Sequence, residues 1–579
     1  MAQRLVIDPI TRIEGHLRIE AEMDANNSIT KAYSSGTMAR GIEIILKGRD
    51  PREAWAFAQR ACGVCTTVHS FASIRSVEDA LHIKIPKAAN LIRNLMIAQQ
   101  YVHDHVMHFY HLSALDWVDV VSALKADPAQ TSTIQQSISS WPNSSPAYFA
   151  DVQSKIQSIV DSGQLSLFAN AYWGHPAYKL PPEVNLLAVA HYLEALDEQR
   201  TFTKIHTIFG GKNPHPNFVV GGVPMPIDLN SDTALNTDRI SIIKDSIDRM
   251  IRFVDQVYLA DLLAIAPYYL DYAGLGENLG NFLTWGEFPG TDNSDTSSFL
   301  VPRAVIFDRD LDNIQEPDPR DVQKMKEYIT HSWYEYDQGD GVGLYPWQGE
   351  TKFKYSGPEP PYDHLDVDNK YSWLKSPRWD DTAMEVGPLA RVLVLYASGH
   401  EQTKELLDSV LKTLDAPLTA VYSTLGRTAA RAIETKVFAD FMLQTYNDLL
   451  DSISNGETET FNSEKWEPTS WPTHAEGFGY MEAPRGALGH WVVIDGREIS
   501  NYQMVVPTTW NASPRDQNGQ AGAYEASLVG TTLAKPEWPL EILRTIHSFD
   551  PCMACAVHMI DVEGNRVGEV STGLNVFVG

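Results

Sequence analysis

The sequence predicts an α+β fold that is predominantly α-helical. Five long stretches repeat apolar residues at the helical period: 86–112, 184–209, 238–265, 388–414 and 418–453. Strand-like alternation is confined to short segments near the two ends. Hydrophobic residues make up 43% of the 579 and aromatics 10%, which is ample for a large core without a disulfide scaffold. No internal repeat and no Gly/Ser-rich or Pro-rich linker divides the chain, so one large globule fits these facts as well as three small ones.

In chain order, the opening reads as β, with strands expected over 4–7, 16–22 and 29–34 and a turn at Asp24-Ala25-Asn26-Asn27. The first three helical stretches follow. Between about 274 and 381 the periodicity fades into Pro, Gly, Trp, Tyr and Asp, which predicts irregular structure with short strands on the surface, a segment able to cover a partner-facing side. The last two helical stretches complete the helical core. Alternation returns over 491–506, with Asp495-Gly496 as a hairpin turn, and 559–579 reads as a final short hairpin around Glu563-Gly564-Asn565.

The net charge of −28, from 74 acidic against 46 basic residues, opposes binding to nucleic acid or to an anionic bilayer. The first eight residues, Met1 to Asp8, lack an apolar core behind a basic segment, so no signal peptide is expected. The most apolar stretch, 257–270, is interrupted by Asp261 and Pro267 and falls short of the ~20 apolar residues a spanning helix needs.

All four cysteines fall into two pairs at opposite ends of the chain, Cys62-Gly63-Val64-Cys65 and Cys552-Met553-Ala554-Cys555. Only folding can bring them together, and the economical reading is one four-thiolate metal site. Structural zinc would close around four thiolates and do nothing else. Its pairs usually stand ~15–20 residues apart in small domains, and this chain has a core of its own. A thioredoxin-like dithiol needs a βαβ unit beside one pair, and neither pair has one. Soft thiolates also suit nickel, copper(I) and iron, and nickel with four sulfurs can keep positions open for a small molecule. Arg60, His69, Asp550-Pro551 and His558 around the pairs are more than a zinc knuckle requires, and such neighbours tune thiolate basicity.

Arg60-x-Cys62-Gly63-x-Cys65 with His69, and Asp550-Pro551-Cys552-x-x-Cys555-x-x-His558, resemble the two signatures of nickel-iron hydrogenase large subunits. The resemblance extends over essentially the whole chain, through Arg12-Ile13-Glu14-Gly15-His16, His103-Asp104-His105, Glu482-Ala483-Pro484-Arg485-Gly486 and Val506-Pro507-Thr508-Thr509-Trp510-Asn511. Gly211-Lys212-Asn213-Pro214-His215-Pro216 and Trp466-Glu467-Pro468 resemble oxygen-tolerant members of the membrane-bound, respiratory uptake subclass.

The resemblance implies a single large unit over 1–558, a central helical bundle with small peripheral sheets and hairpins, and an extension, 559–579, removed on maturation. It implies that all four thiolates bind nickel, that Cys65 and Cys555 also bridge to an iron carrying cyanide and carbon monoxide, and that Cys62 and Cys552 bind nickel alone. The pair splits hydrogen heterolytically, so a base must take a proton. Glu14 is the implied proton relay, beside Cys552. Arg485 lies over the open metal position, oriented by Asp104 and Asp550, and its guanidinium is better suited to charge stabilisation than to acting as a base. Pro484, Thr508 and His69 are the implied neighbours of the cofactor, Thr508 bonding a cyanide and His69 a bridging sulfur. Glu43, the Met504 carbonyl and His558 align with a magnesium site.

With every cysteine used, no iron-sulfur cluster is expected in this chain. The implied partners are an iron-sulfur small subunit near His215, a membrane cytochrome b, nickel-insertion factors and a maturation endopeptidase. The implied location is the periplasmic side of the cell membrane, reached on the twin-arginine signal of the small subunit. Hydrogen-sensing relatives usually lack the removable extension, and related respiratory-complex subunits lack the cysteines. Taken without the resemblance, Arg485 with two aspartates is an ordinary buried ion network, and Glu14, three residues past Thr11, is a helix-capping box. His103, His105, His108 and His111 are expected to be packing histidines.

Overall fold

The computed structural model describes residues 3–163, 168, 171–277, 279–290 and 293–556, apart from the side chains of Gln3, Cys555 and Ala556. The extension 559–579, its expected hairpin and His558 lie outside the described residues.

The chain opens with an antiparallel sheet of β1 (Gln3–Ile7), β2 (Leu17–Met23) and β3 (Ile29–Gly36) in that order. The expected turn between β2 and β3 is built by Asp24, whose carboxylate accepts from the Asn26 and Ser28 amides, with Asn27 at φ 59°. Among the helices that follow the short α1 (Ile42–Leu46) are α2 (Val68–Leu81), α3 (Lys87–Met107) and α4 (Pro182–Phe202). Then come α5 (Thr237–Phe253), α6 (Pro388–Ala397), α7 (Glu401–Thr413) and α8 (Thr424–Ser454). The α3 and α8 helices pack against each other at the centre of the bundle. Both are buried on nearly every side along much of their length, so their polar residues have to find partners inside.

The five expected helices are present, with corrections. The 184–209 stretch breaks at Thr203 and resumes as Lys204–Gly210. The 388–414 stretch is two helices, because Gly399 takes φ 84° and the His400 ring accepts from the Thr403 amide to start α7. The 86–112 and 238–265 stretches each loosen into a wider turn, over His108–Ser113 and Val254–Tyr258. Within 418–453, a 3-10 turn at Leu418–Val421 precedes the Ser423 cap of α8.

The 274–381 region also needs correcting. It does carry short strands, β4 (Phe282–Thr284) with β5 (Ala304–Ile306) and β6 (Met325–Tyr328) with β7 (Ser376–Trp379), but they are mostly buried instead of superficial. Trp285 and Trp379 join Trp491 and Trp510 in a core cluster of their own.

The hairpin expected over 491–506 is the edge of a three-stranded sheet, order β10-β9-β8, made of β8 (His474–Ala483), β9 (Gly486–Asp495) and β10 (Glu498–Val505). The β8 strand lies directly on α2. A Cβ on Gly477 would sit 2.0 Å from the Ser76 carbonyl oxygen, and one on Gly479 1.9 Å from that of Ala72. Glycine is what lets strand and helix approach so closely. The chain then runs through α9 (Leu540–Ser548) to α10 (Met553–Ala556).

Candidate metal centre

The first cysteine pair is shaped locally. A 3-10 turn, Gln59–Ala61, delivers Cys62, and the Cys65 amide folds back to donate to Cys62 Sγ at 3.3 Å. The Cys65 carbonyl then accepts from the Val68 amide at 3.2 Å as α2 begins. His69 follows at once as the second residue of that helix.

The second pair is shaped by distant residues. The Cys552 amide donates to Thr508 Oγ1 at 3.0 Å. Glu14 runs parallel to Cys552: its amide donates to the Pro551 carbonyl at 3.3 Å, and its carbonyl accepts from the Met553 amide at 2.8 Å. Glu14 Oε2 also accepts from the Ala554 amide at 2.8 Å. Glu14 therefore does not cap a helix of its own segment; it satisfies the start of α10, 540 residues away in the chain. Gly15, at φ 84°, permits the approach, since a Cβ there would meet the Ala554 amide nitrogen at 2.5 Å.

These contacts bring together three thiols from the two ends of the chain. Cys62 Sγ is 3.4 Å from Cys552 Sγ, and Cys65 Sγ, 487 residues from Cys552, is 3.9 Å from it. Both distances are far beyond the ~2.05 Å of a disulfide. Sulfurs arranged tetrahedrally around one ion at ~2.3 Å stand ~3.8 Å apart, so the spacing fits a shared soft metal. All three are buried. The Cys555 side chain lies outside the described residues.

A small cavity opens between Cys65, Cys552, His69, Arg485, Pro507 and Thr508. Arg485 spans it, with Nη1 3.1 Å from Asp104 Oδ2 and Nη2 3.0 Å from Asp550 Oδ1. Burial works against its charge, but Asp550, Cys552 and Asp104 keep the guanidinium firmly protonated. Arg485 Nε, Asp550 Oδ2 and His69 Nε2 are buried without a hydrogen-bond partner. Buried polar atoms left over on three sides of a thiol cluster are the mark of a site shaped around a polar group. Pro484 does not line the cavity itself but stands between Ala483 and Arg485, which do.

Two titratable neighbours are displaced from their ordinary values. Glu14 Oε2 lies 3.3 Å from Cys552 Sγ; burial, aided by the Cys62 thiolate, raises the carboxyl to a pKa of about 7, against the opposing pull of the Ala554 amide. Burial lowers His69 to about 4, so its ring is neutral.

Sequence reasoning missed several residues here. His69 Nδ1 is 3.1 Å from His490 Nε2, and His490 Nδ1 is 2.7 Å from the Tyr502 hydroxyl. With Tyr502 donating to His490 and His490 to His69, the His69 proton stays on Nε2, the nitrogen without a protein partner. Arg40 ties the two pairs together, its Nη2 donating to the Ala61 carbonyl before Cys62 and, at 3.0 Å, to the Ala554 carbonyl before Cys555. No local pattern marks any of the three, because each acts across the fold.

Of the expected magnesium ligands, Glu43 and Met504 are together: Glu43 Oε1 accepts from the Met504 amide at 2.8 Å. His105 Nε2 is 2.6 Å from Glu434, His108 Nε2 donates to the His547 carbonyl, and His111 Nε2 to that of Tyr192; all three are packing histidines. His103 faces Asp104 at 3.3 Å. His215 lies over the first pair, its Nε2 3.1 Å from the Cys62 carbonyl.

Two buried cysteine segments gathered on a helical bundle define a protein that holds a soft metal on thiolates. The family described as nickel-dependent hydrogenase matches residues 40–558. The chain is 52% identical to an uptake hydrogenase large subunit of Bradyrhizobium diazoefficiens, covering 98% of this chain and 97% of that one. It is 49% identical to the hydrogenase-1 large chain of Escherichia coli K12, with 98% and 96% covered. Among solved structures, a Ni-Fe-Se hydrogenase from Desulfovibrio vulgaris Hildenborough superposes with a TM-score of 0.75 at 31% identity, covering 96% of this chain and 100% of that one. The chain belongs to the nickel-dependent hydrogenase family, and it is an oxidoreductase.

Proposed function

We propose that this chain is the catalytic large subunit of a nickel-iron uptake hydrogenase, oxidising hydrogen and passing electrons to a partner. The observation that carries the reading is the meeting of three buried thiols, Cys62, Cys65 and Cys552, the last two lining a small cavity with Arg485. The three thiolates and Cys555 would hold nickel, with Cys65 and Cys555 shared with an iron bearing cyanide and carbon monoxide. Bound there, the metals supply heterolytic cleavage of hydrogen.

The chain's own residues would manage the proton and the charge. A carboxyl poised near neutrality can both accept and release a proton, which suits Glu14 as the relay beside Cys552. Asp104 and Asp550 aim Arg485 across the cavity, where its fixed charge stabilises anionic ligands. Thr508 Oγ1 accepts from the Cys552 amide, which leaves its hydroxyl proton for a cyanide, and Pro484 would border the same ligand. His69 Nε2–H would serve a bridging sulfur. Glu43, the Met504 carbonyl and His558 would hold magnesium.

Electrons would leave through an iron-sulfur small subunit seated near Arg60 and His215, then through a membrane cytochrome b to quinone. Among the described residues no helix is long and apolar enough to cross a membrane. The complex would sit on the periplasmic side of the cell membrane, exported on the small subunit's twin-arginine signal. After nickel insertion an endopeptidase would remove 559–579.

The test is to purify the complex and measure metals, intact mass and hydrogen-dependent dye reduction together. Nickel together with a several-fold excess of iron, as the small subunit's clusters require, a chain ending at His558 and dye reduction under hydrogen are expected. Zinc without nickel or iron would sink the reading.

A further inference from the structure

We propose that Arg391 is the positioning residue for Arg485, gripping the turn on which Arg485 stands; the inference rests on the assignment of Arg485 to the metal cavity. The β8 and β9 strands are joined by Pro484 and Arg485 alone, between the paired Ala483 and Gly486. Two-residue hairpin loops favour type I′ or II′ turns, both of which need positive φ at the first loop residue. Proline holds φ near −65° and excludes both. A loop of this kind does not match the twist of its own strands and has to be held from outside.

The holder is a buried guanidinium on α6. Arg391 Nη1 donates to the Ala483 carbonyl and Nη2 to the Pro484 carbonyl, each at 2.8 Å. Nε and Nη2 also reach the two Glu434 oxygens on α8, at 2.9 and 2.7 Å, and Nη1 reaches Glu482 Oε2 on β8 at 3.1 Å. A guanidinium has five N–H groups, and these contacts use them all. The α6 helix begins against the same turn: Gly486 takes φ 130°, and a Cβ on it would stand 2.6 Å from the Gly387 amide nitrogen. From the other side, the Tyr101 hydroxyl donates to the Glu482 carbonyl. The turn is thus clamped by a planar fork between α6, α8 and β8, leaving the Arg485 side chain to meet Asp104 and Asp550. Lysine, with three donors on a flexible stem, cannot hold both carbonyls and both carboxylates.

The experiment is a double-mutant cycle on the purified holoenzyme complex, with Arg391→Lys, Arg485→Lys and both together. Hydrogen turnover is measured in each, along with amide exchange of the 483–488 peptide. Arg391→Lys should lose roughly 10- to 100-fold in turnover, as a small misplacement of a reacting group does, and should speed exchange in that peptide. The double variant should turn over no more slowly than Arg485→Lys alone. Should Arg391→Lys not fold, Tyr101→Phe removes one bond to the same strand end, and its smaller loss should likewise vanish beside Arg485→Lys. Losses that multiply, or parental turnover and exchange in Arg391→Lys, overturn the proposal. Parental turnover in Arg485→Lys would instead overturn the assignment of Arg485 and leave the exchange result to judge the clamp.

Discussion

The two cysteine segments end in one site but are built differently. Cys62 and Cys65 lie inside the largest apolar cluster, on a turn that the chain closes with its own amides and continues into α2. The second segment lies on a seam, with Cys552 in the largest cluster and Met553 in the one formed around the N-terminal sheet and α9. It is held by Glu14, Thr508 and Arg40, which reach it from far away in sequence. The first half of the centre is local structure, and the second half is a tertiary agreement. A site assembled in this way can be completed last, when the end of the chain settles against the Glu14 loop.

The comparison can be broken most severely at the thiols. Cys62→Ser and Cys552→Ser should each abolish nickel retention and hydrogen turnover, measured by metal analysis and dye reduction. The Cys62 variant should also melt earlier than the Cys552 variant, because its segment belongs to the core; equal melting would erase the distinction between the segments. Next comes Glu14→Gln, which keeps an acceptor for the Ala554 amide but cannot carry a proton. Turnover should fall roughly 10²- to 10⁴-fold with nickel content unchanged. Loss of nickel in step with activity would make Glu14 a structural strut instead of a relay.

A smaller effect is expected at Asp116, which joins the Glu14 loop to α9 through Arg12 and His547. Burial favours its neutral form, yet Arg12 and His547 outweigh burial and hold it at about 2, below its ordinary 3.8. A depressed acid binds its proton more weakly folded than unfolded. Its stabilisation is therefore complete above about pH 4 and disappears as pH falls toward 2, and is worth about 2 kcal/mol. Asp116→Asn should lower the neutral-pH melting temperature and flatten the acid limb of the stability curve. An unchanged acid limb would mean that the ion pair does not hold the seam. Smallest is Arg40→Gln, which removes the strap between the segments: about 1 kcal/mol in urea unfolding, with slower recovery of nickel after removal. Recovery at the parental rate would show that the segments find each other without it.

How much of this was legible beforehand follows the same division. The long helices could be read because α3, α5 and α8 repeat apolar residues at the helical period. The α2 helix, buried on nearly every side as α3 and α8 largely are, could not, since its 14 residues are too few for a period to show without a polar face. The β8 strand was hidden by Gly477 and Gly479, which look like breakers and serve close packing. At the site, the cysteine motifs with Glu14, Arg485, Asp104, Asp550, Thr508 and His69 could be named from the sequence; Cys65, Cys552, His69, Arg485 and Thr508 line one cavity, and Cys62, Glu14, Asp104 and Asp550 contact those residues. The residues that hold them, Arg40, His490, Tyr502 and Arg391, sit in no motif, because a hydrogen bond to a distant carbonyl leaves no pattern in the sequence.

The central claim is that the two segments converge on one metal. Nickel K-edge absorption on the purified complex tests it most directly, comparing the parent with Cys552→Ser. A sulfur-dominated nickel shell in the parent that is lost or visibly rearranged in the variant is the predicted result. Nickel bound mainly by nitrogen and oxygen, or a sulfur shell indifferent to Cys552, would contradict it.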